Sequence, residues 1–252
     1  SITFAFVATH NHFVLDRGWK VFKQSAPVIK LPESASEDDH LALLGILNSS
    51  TACFWLKQVS HSKGNGGIGG GISDELWEHR FEFTSTKLQE FPLPDRLPLE
   101  HGRKLDKLAQ QLAATEASAI CQEGTPTRSA LDRAADEHAH IRSQMVALQE
   151  ELDWHTYHLY GLLSADEAAE LQSPLERLPE VKLGERAFEI VLARKMASGQ
   201  VDTQWFARHG STPITEVPAH WPEEYRRVVE KRIEFIEKRK DIALLERPEY
   251  KR

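Results

Sequence analysis

The feature that most constrains the fold is a periodic stripe that runs without a break along residues 131–159. Its members alternate three- and four-residue steps: Leu131, Ala134, His138, Ile141, Met145, Leu148, Leu152, His155 and Leu159. This spacing puts them on one face of a long helix, as at the seam between paired helices. A shorter stripe of leucines precedes it, at Leu105, Leu108 and Leu112. The two stripes predict an antiparallel helical hairpin over residues 99–163, capped by Trp154 and Tyr157.

Residues 1–98 have a different, mixed pattern. Runs rich in β-branched and aromatic residues predict strands at "ITFAFVAT", "HFVLD", "PVIKLP" and "RFEF". One helix is predicted over residues 37–59, with Ser36 as its N-cap and Asp39 completing a capping box. The proline-rich segment "STKLQEFPLPDRLPLE" ends this part of the chain.

The remainder, residues 164–252, is predicted to be a small helical C-terminal region. Ser164 and Glu167 form a second capping box. The segment "WPEEYRRVVEKRIEFIEKRK" begins with Pro222 and two acids and ends in basic residues, which suits the helix dipole. The expected fold class is therefore α+β: a mixed domain at 1–98, the helical hairpin at 99–163 and this region.

Composition excludes several classes of protein. The chain has 252 residues, 40% hydrophobic and 27% charged, which is typical of a soluble globular protein. No apolar run approaches the roughly 18 residues that a membrane span needs, and no signal peptide is present. The two cysteines, Cys53 and Cys121, lack metal-binding spacing, so a reduced, cytoplasmic setting is expected. The first residue, Ser1, leads directly into a strand-like run, which suggests a piece of something longer.

Charge is distributed unevenly along the chain. The net charge of −7 disfavours nucleic-acid binding by the whole surface. The segment from residue 10 to residue 31 nevertheless has one acid, Asp16, and four basic residues: Arg17, Lys20, Lys23 and Lys30. An anionic partner is therefore expected only at the N-terminal end.

The glycine-rich stretch "HSKGNGGIGGGISD" contains a G-x-G-x-x-G at Gly64, Gly66 and Gly69. A nucleotide-binding glycine loop follows a strand and opens a helix. Here a predicted helix precedes the stretch and a predicted strand follows it, and no G-K-[ST] is present. We therefore expect a mobile surface loop in place of a cofactor site.

Other patterns that suggest chemistry are incomplete. Two histidines share a strand face, one E-x-x-H of the di-iron type occurs once, and two carboxylate-x-lysine triplets resemble nuclease motifs. These patterns are His10/His12, Glu137/His140, Glu180/Lys182 and Glu249/Lys251. No G-x-S-x-G, H-E-x-x-H or paired-cysteine pattern occurs. The sequence thus predicts no self-contained catalytic or metal site.

The order of the segments carries a resemblance to a known family. "LALLGILNSSTACFWLKQ", the glycine stretch, a strand, "STKLQEFPLP" and the long helix pair resemble target-recognition domains of adenine-specific DNA methyltransferases and restriction–modification specificity subunits. More specifically, "FAFVATHNHFVLDRG", "KVFKQSAPVIKLPE", "VALQEELDWHTYHLYGL", "WFARHGSTPITEVPAHWP" and "LLERPEYKR" are similar to the C-terminal part of phage-growth-limitation or BREX-type adenine methyltransferases. The resemblance covers nearly the whole chain.

The resemblance also implies what this chain lacks. Amino-methyltransferases use a [DN]PP[YF] segment and a glycine motif for S-adenosylmethionine, but no "PP" occurs here. The catalytic domain, with its cofactor, is therefore expected N-terminal to Ser1 in the same polypeptide. No catalytic, cofactor-binding or metal residue is assigned to this chain.

The function implied by the resemblance is recognition of double-stranded DNA for adenine-N6 methylation in a phage-defence or restriction–modification system. Candidate DNA-contacting residues are Asn11, Arg17, Lys20, Lys23, Lys57, His61 and Lys63. One alternative is a protein–protein docking module of a defence complex, since the net charge is negative and the helical hairpin is long. The other is a nuclease that uses the scattered carboxylates.

Overall fold

The computed structural model describes residues 1–18, 20–64, 75–122 and 124–251. The strands are β1 Ile2–Phe4, β2 Val7–Ala8, β3 Phe13–Leu15, β4 Val28–Ile29, β5 His61–Gly64 and β6 Arg80–Glu82. The α-helices are α1 Glu37–Leu47, α2 Ser50–Val59, α3 Ser85–Gln89, α4 Leu99–Ala114, α5 Ala117–Gln122, α6 Arg128–Leu159, α7 Ala165–Leu171, α8 Ala187–Ala197, α9 Trp205–His209, α10 Glu223–Lys238 and α11 Lys240–Leu245. Single turns of 3-10 helix occur at Leu76–Glu78 and Pro248–Tyr250. The predicted α+β class is confirmed.

The strands form two small antiparallel sheets, in the orders β3-β1-β4 and β2-β6-β5. The run "ITFAFVAT", predicted as one strand, bends at Phe6 and contributes a strand to each sheet. The Phe6 N–H donates to the Ser25 carbonyl at 3.1 Å, and its own carbonyl accepts from the Phe83 N–H at 2.7 Å. This bend therefore joins the two sheets.

The single helix predicted over residues 37–59 is wrong, because two helices occupy that stretch. The Ser36–Asp39 capping box is present and begins α1. The chain then breaks at Asn48, whose side-chain amide bonds both backbone groups of Phe13, at 3.0 and 2.9 Å. Ser49 starts α2 afresh by accepting from the Ala52 N–H at 3.1 Å. A tertiary contact with the edge strand β3 thus overrides a continuous helical pattern.

The long helix predicted from the periodic stripe is confirmed as α6, and it packs against α4. Helix α4 also packs closely on α1, where two glycines meet. A Cβ atom placed on Gly102 would lie 2.1 Å from the Leu41 carbonyl oxygen, so this crossing requires glycine. The predicted domain boundaries at residues 98 and 163 stay a prediction.

The buried apolar residues form two clusters. The first packs the sheet residues Ile2, Phe4 and Phe13 against α1 and α2. The second fills the C-terminal region and is centred on the fully buried Trp154 and Tyr157 of α6. These two aromatics therefore do not cap the hairpin as predicted, because helices α8, α10 and α11 cover them.

The second cluster also encloses charged side chains, which pair with one another. Arg232 lies 2.7 Å from Glu151, and Arg186 lies 2.8 Å from Glu189. Burial raises the pKa of Glu150 to about 7, against the opposing charge of Arg232. Buried ions need such partners, because an isolated charge in an apolar interior is costly.

Candidate nucleic-acid interface

A short, largely exposed segment, residues 20–25, lies between β3 and β4 in the chain. Lys20 and Lys23 are exposed, and Val21 between them is 98% exposed. The segment is closed by a turn in which the Ala26 N–H donates to the Lys23 carbonyl at 2.9 Å. We call residues 20–25 the basic segment. Its two ammonium groups are available to an anionic partner.

Arg17 lies just before the basic segment and has a different environment. Its guanidinium contacts Asp106 of α4 and Glu37 of α1, each at 2.6 Å. The hydrogen bonds that Arg17 donates to Asp106 and Glu37 raise its pKa further above the usual arginine value. The charge of Arg17 is thus shared with two acids, and the residue ties β3 to α4.

A second basic site lies on the sheet that contains β5 and β6, which pair antiparallel. His61 and Lys63 are exposed on β5, and Lys63 forms an ion pair with Glu82 on β6. Arg80, which the sequence analysis did not single out, is exposed on β6 opposite Gly64. Because β6 also bonds to β2 beside the Phe6 bend, this β5–β6 pair is connected through one residue to the basic segment.

Two predicted DNA-contacting residues lie below the surface. The Asn11 side chain is 1% exposed and donates to the carbonyls of Leu47 and Ser49, at 2.6 and 3.1 Å. Lys57 is 7% exposed and donates to the Glu249 carbonyl. Burial lowers the pKa of Lys57. Both side chains bond within the protein, while DNA contact by any of the seven predicted residues stays a prediction.

The C-terminal residues Pro248–Tyr250 pack beside this site, which the sequence did not indicate. The Tyr250 ring contacts Phe54 edge-on at 5.2 Å, and its hydroxyl accepts from the Gln58 side chain at 3.4 Å. Lys57 lies 5.3 Å from the Phe81 ring centre and 5.9 Å from that of Tyr250. Periodicity reports only local order, so contacts across some 190 residues could not be found from it.

His10, the first histidine of the N-terminal pattern, bonds within the protein. His10 is buried, with its ring nitrogen 3.4 Å from the Pro248 carbonyl, and burial lowers its pKa to about 3. His140 lies 2.8 Å from Glu180, so members of two separate sequence patterns meet. Among the residues that the structure describes, no group of three or more His, Cys, Asp or Glu side chains could hold a metal ion.

The carboxylate-x-lysine triplet Glu249/Lys251 ends in a buried residue, Lys251. Its ammonium lies 3.0 Å from Asp153 and 2.6 Å from Glu246. Although burial opposes it, these two carboxylates raise the pKa of Lys251. Asp153 also accepts from the Ser50 N–H and hydroxyl, at 2.7 and 2.6 Å. Lys251 thus belongs to an internal network, whereas Glu249 is half-buried.

The glycine motif does not fit a cofactor site. Gly64 ends β5, so a strand precedes the other two glycines where the sequence predicted a helix, but the next described element is a three-residue 3-10 turn, Leu76–Glu78, and not an α-helix. Gly66 and Gly69 lie outside the described residues. Both described sheets are antiparallel, whereas the glycine fingerprint requires a strand–turn–helix unit of a parallel sheet. No step of methyl transfer is therefore assigned to these residues.

In the described part of the chain, no helix has the length and apolar character needed to cross a membrane.

Comparison with known proteins relates the chain to adenine-specific methyltransferases, as its sequence pattern predicted. It is 54% identical to the adenine-specific methyltransferase PglX of Streptomyces coelicolor, over an alignment of 255 positions that covers the whole chain. The chain covers 21% of that protein, about a fifth of its length, which fits a fragment. A family model described as a domain of unknown function (DUF7008) matches residues 145–252. No solved structure matches.

Proposed function

We propose that this chain selects the DNA site for an adenine-N6 methyltransferase of a phage-defence or restriction–modification system. The methyltransferase domain that binds S-adenosylmethionine lies elsewhere in the same polypeptide, which acts in the cytoplasm. The 54% identity with an adenine-specific methyltransferase, over a fifth of that relative's length, supports this division of labour. The finer assignment, to DNA recognition, depends on the basic segment.

The observation that carries the proposal is the exposed "KVFK" turn of the basic segment. In a chain with a net charge of −7, Lys20 and Lys23 are both exposed and no acid lies within residues 20–25. Lysines on an exposed loop contact phosphates and orient the duplex. The exposed Val21 between them has an apolar side chain that can contact a thymine methyl group in the major groove.

The test is the salt dependence of duplex binding by a variant with Lys20→Ala and Lys23→Ala. Each lost phosphate contact should flatten the slope of log K against log salt by about 0.9. We therefore expect a change of about 1.8 for the double variant, measured by fluorescence anisotropy. A matched control changes the exposed Lys107 and Lys195, on α4 and α8, to alanine. Equal slopes for the two double variants would refute the assignment.

The alternative function is docking to other defence subunits without direct DNA contact. The observation that favours it is the length of α6, whose 32 residues extend about 48 Å. The N-terminal half of α6 pairs with α4 and has a largely solvent-exposed surface. An electrophoretic shift assay discriminates, because a pure docking module leaves duplex DNA unretarded even at low salt.

A further inference from the structure

The two strands of the β5–β6 pair are each anchored by residues of the C-terminal region, far away in sequence. The residues just before β6 bind to the loop at Thr203 and to α9. The residues just before β5 bind to Pro248–Tyr250. These contacts connect the part of the chain proposed to meet DNA with the part matched by a domain of unknown function.

The first anchor is the side chain of Glu75. Its carboxylate accepts from the Thr203 hydroxyl, at 2.9 and 3.0 Å for its two oxygens, and from the Gln204 N–H at 2.5 Å. The indole N–H of Trp77 donates to the same carboxylate at 2.8 Å. Hydrogen bonds to a carboxylate are stronger than hydrogen bonds between two neutral groups, and here one carboxylate accepts several of them. Glu75 therefore fixes the chain just before β6.

The second anchor is the ring of Trp77, which packs in the second of the two buried apolar clusters. It is 9% exposed and lies edge-on to Trp205 of α9, with ring centres 5.2 Å apart. The His209 ring lies 5.3 Å away on the same helix. Next to it, Glu78 pairs with Arg208 at 3.5 Å. Residues 75–78 thus pack as part of the C-terminal region.

The third anchor holds the entry to β5. Lys57 and Gln58, the last polar side chains of α2, bond the Glu249 carbonyl and the Tyr250 hydroxyl. Pro248–Tyr250 is itself held in place, because the next residue, Lys251, forms ion pairs with Asp153 and Glu246. The C-terminal segment therefore links α2 to the buried charged network.

We infer that the C-terminal region positions the β5–β6 pair for DNA contact, with Glu75 and Thr203 as positioning residues. This inference rests on the proposed function of DNA recognition and gives the matched domain of unknown function a role in it. Helices α8 to α11 form the rigid support, and the β5–β6 pair carries His61, Lys63 and Arg80 towards the duplex. Contacting residues on loops bind well only when a scaffold holds them in place.

The experiment compares Thr203→Val, Glu75→Gln and the double variant with the unchanged chain. Hydrogen exchange is followed at residues 61–64 and 80–82, and duplex affinity is measured in parallel. Losing the bonds to the carboxylate should speed exchange at the β5–β6 pair about tenfold and weaken binding several-fold. The effects of the two changes should be less than additive in the double variant, because both act on the same hydrogen-bond network around Glu75.

The matched control is Thr127→Val. The Thr127 hydroxyl accepts from the Ala130 N–H at 3.2 Å, the same distance at which Thr203 accepts from the Trp205 N–H. It caps α6, which bears none of the candidate contact residues, so exchange at the β5–β6 pair and DNA affinity should be unchanged. A melting temperature within a few degrees of the unchanged chain shows that each variant folds.

Two failures are distinguishable. If exchange at the β5–β6 pair is the same in Thr203→Val, Glu75→Gln and Thr127→Val, the C-terminal region does not position it, and the inference is overturned. If the unchanged chain fails to bind duplex DNA, the proposed function fails. In that case the exchange comparison still decides whether the region holds the β5–β6 pair.

Discussion

Replacing Lys251 with methionine removes a buried cation that contacts two buried carboxylates. The side chain is 2% exposed, and its ammonium contacts Asp153 and Glu246 at 3.0 and 2.6 Å. It also lies 3.5 Å from the Tyr157 hydroxyl, which donates to Glu246. Methionine fills a similar volume, so the main change is electrostatic and not a cavity.

The cost follows from what each carboxylate keeps. Removing one partner of a buried ion pair costs about 3–5 kcal/mol of unfolding free energy. Asp153 retains its two bonds from Ser50, and Glu246 retains the bond from Tyr157. We therefore expect the lower end, about 3 kcal/mol. For a chain of this size that lowers the melting temperature by about 6–12 °C.

Thermal unfolding followed by circular dichroism at pH 7 measures the effect. The double variant Lys251→Met with Glu246→Gln removes one of the two carboxylates that lose their partner and should recover about half of the lost stability. The single change Glu246→Gln serves as the control for the loss of that carboxylate alone. A Lys251→Met protein that melts within about 2 °C of the unchanged chain would refute the electrostatic account of this network.

Two further predictions concern the first core and its boundary. Burial lowers the pKa of His101, which stacks on His155 at 4.7 Å, to about 3. Below about pH 6.5 the unfolded chain therefore binds a proton at His101 that the folded chain does not bind, so the free energy of unfolding decreases as the pH falls. In urea titrations, His101→Phe should remove about 2 kcal/mol of the decrease between pH 7 and pH 5. Equal pH dependence in both proteins would contradict this. Gly102→Ala should cost about 3 kcal/mol, because its methyl group would meet the Leu41 carbonyl, and an unchanged urea midpoint would show that α1 and α4 do not cross as described.

Local signals in the sequence were sufficient where a helix is determined by its own residues. The stripe of α6 and the capping boxes at Ser36 and Ser164 were found because their partners lie within one turn. They failed at Asn48, where a side chain from a helical pattern bonds an edge strand 35 residues earlier. Nothing in the periodicity of residues 37–59 indicates that competing contact.

The candidate site divides in the same way. Lys20 and Lys23 are exposed, which is the usual position of a lysine side chain. The burial of Asn11 and Lys57 could not be predicted, since it depends on backbone carbonyls of Leu47, Ser49 and Glu249 that only the tertiary fold brings near. Polar residue type alone does not distinguish a surface donor from an internal one.

The central claim is that this chain binds duplex DNA. Equilibrium binding of the chain to a labelled duplex at salt concentrations between about 50 and 200 mM tests that claim most directly. With Lys20, Lys23 and Lys63 on phosphates, log K should fall against log salt with a slope of about −3. Absence of binding at the lowest salt, or affinity that does not change with salt, would contradict the claim.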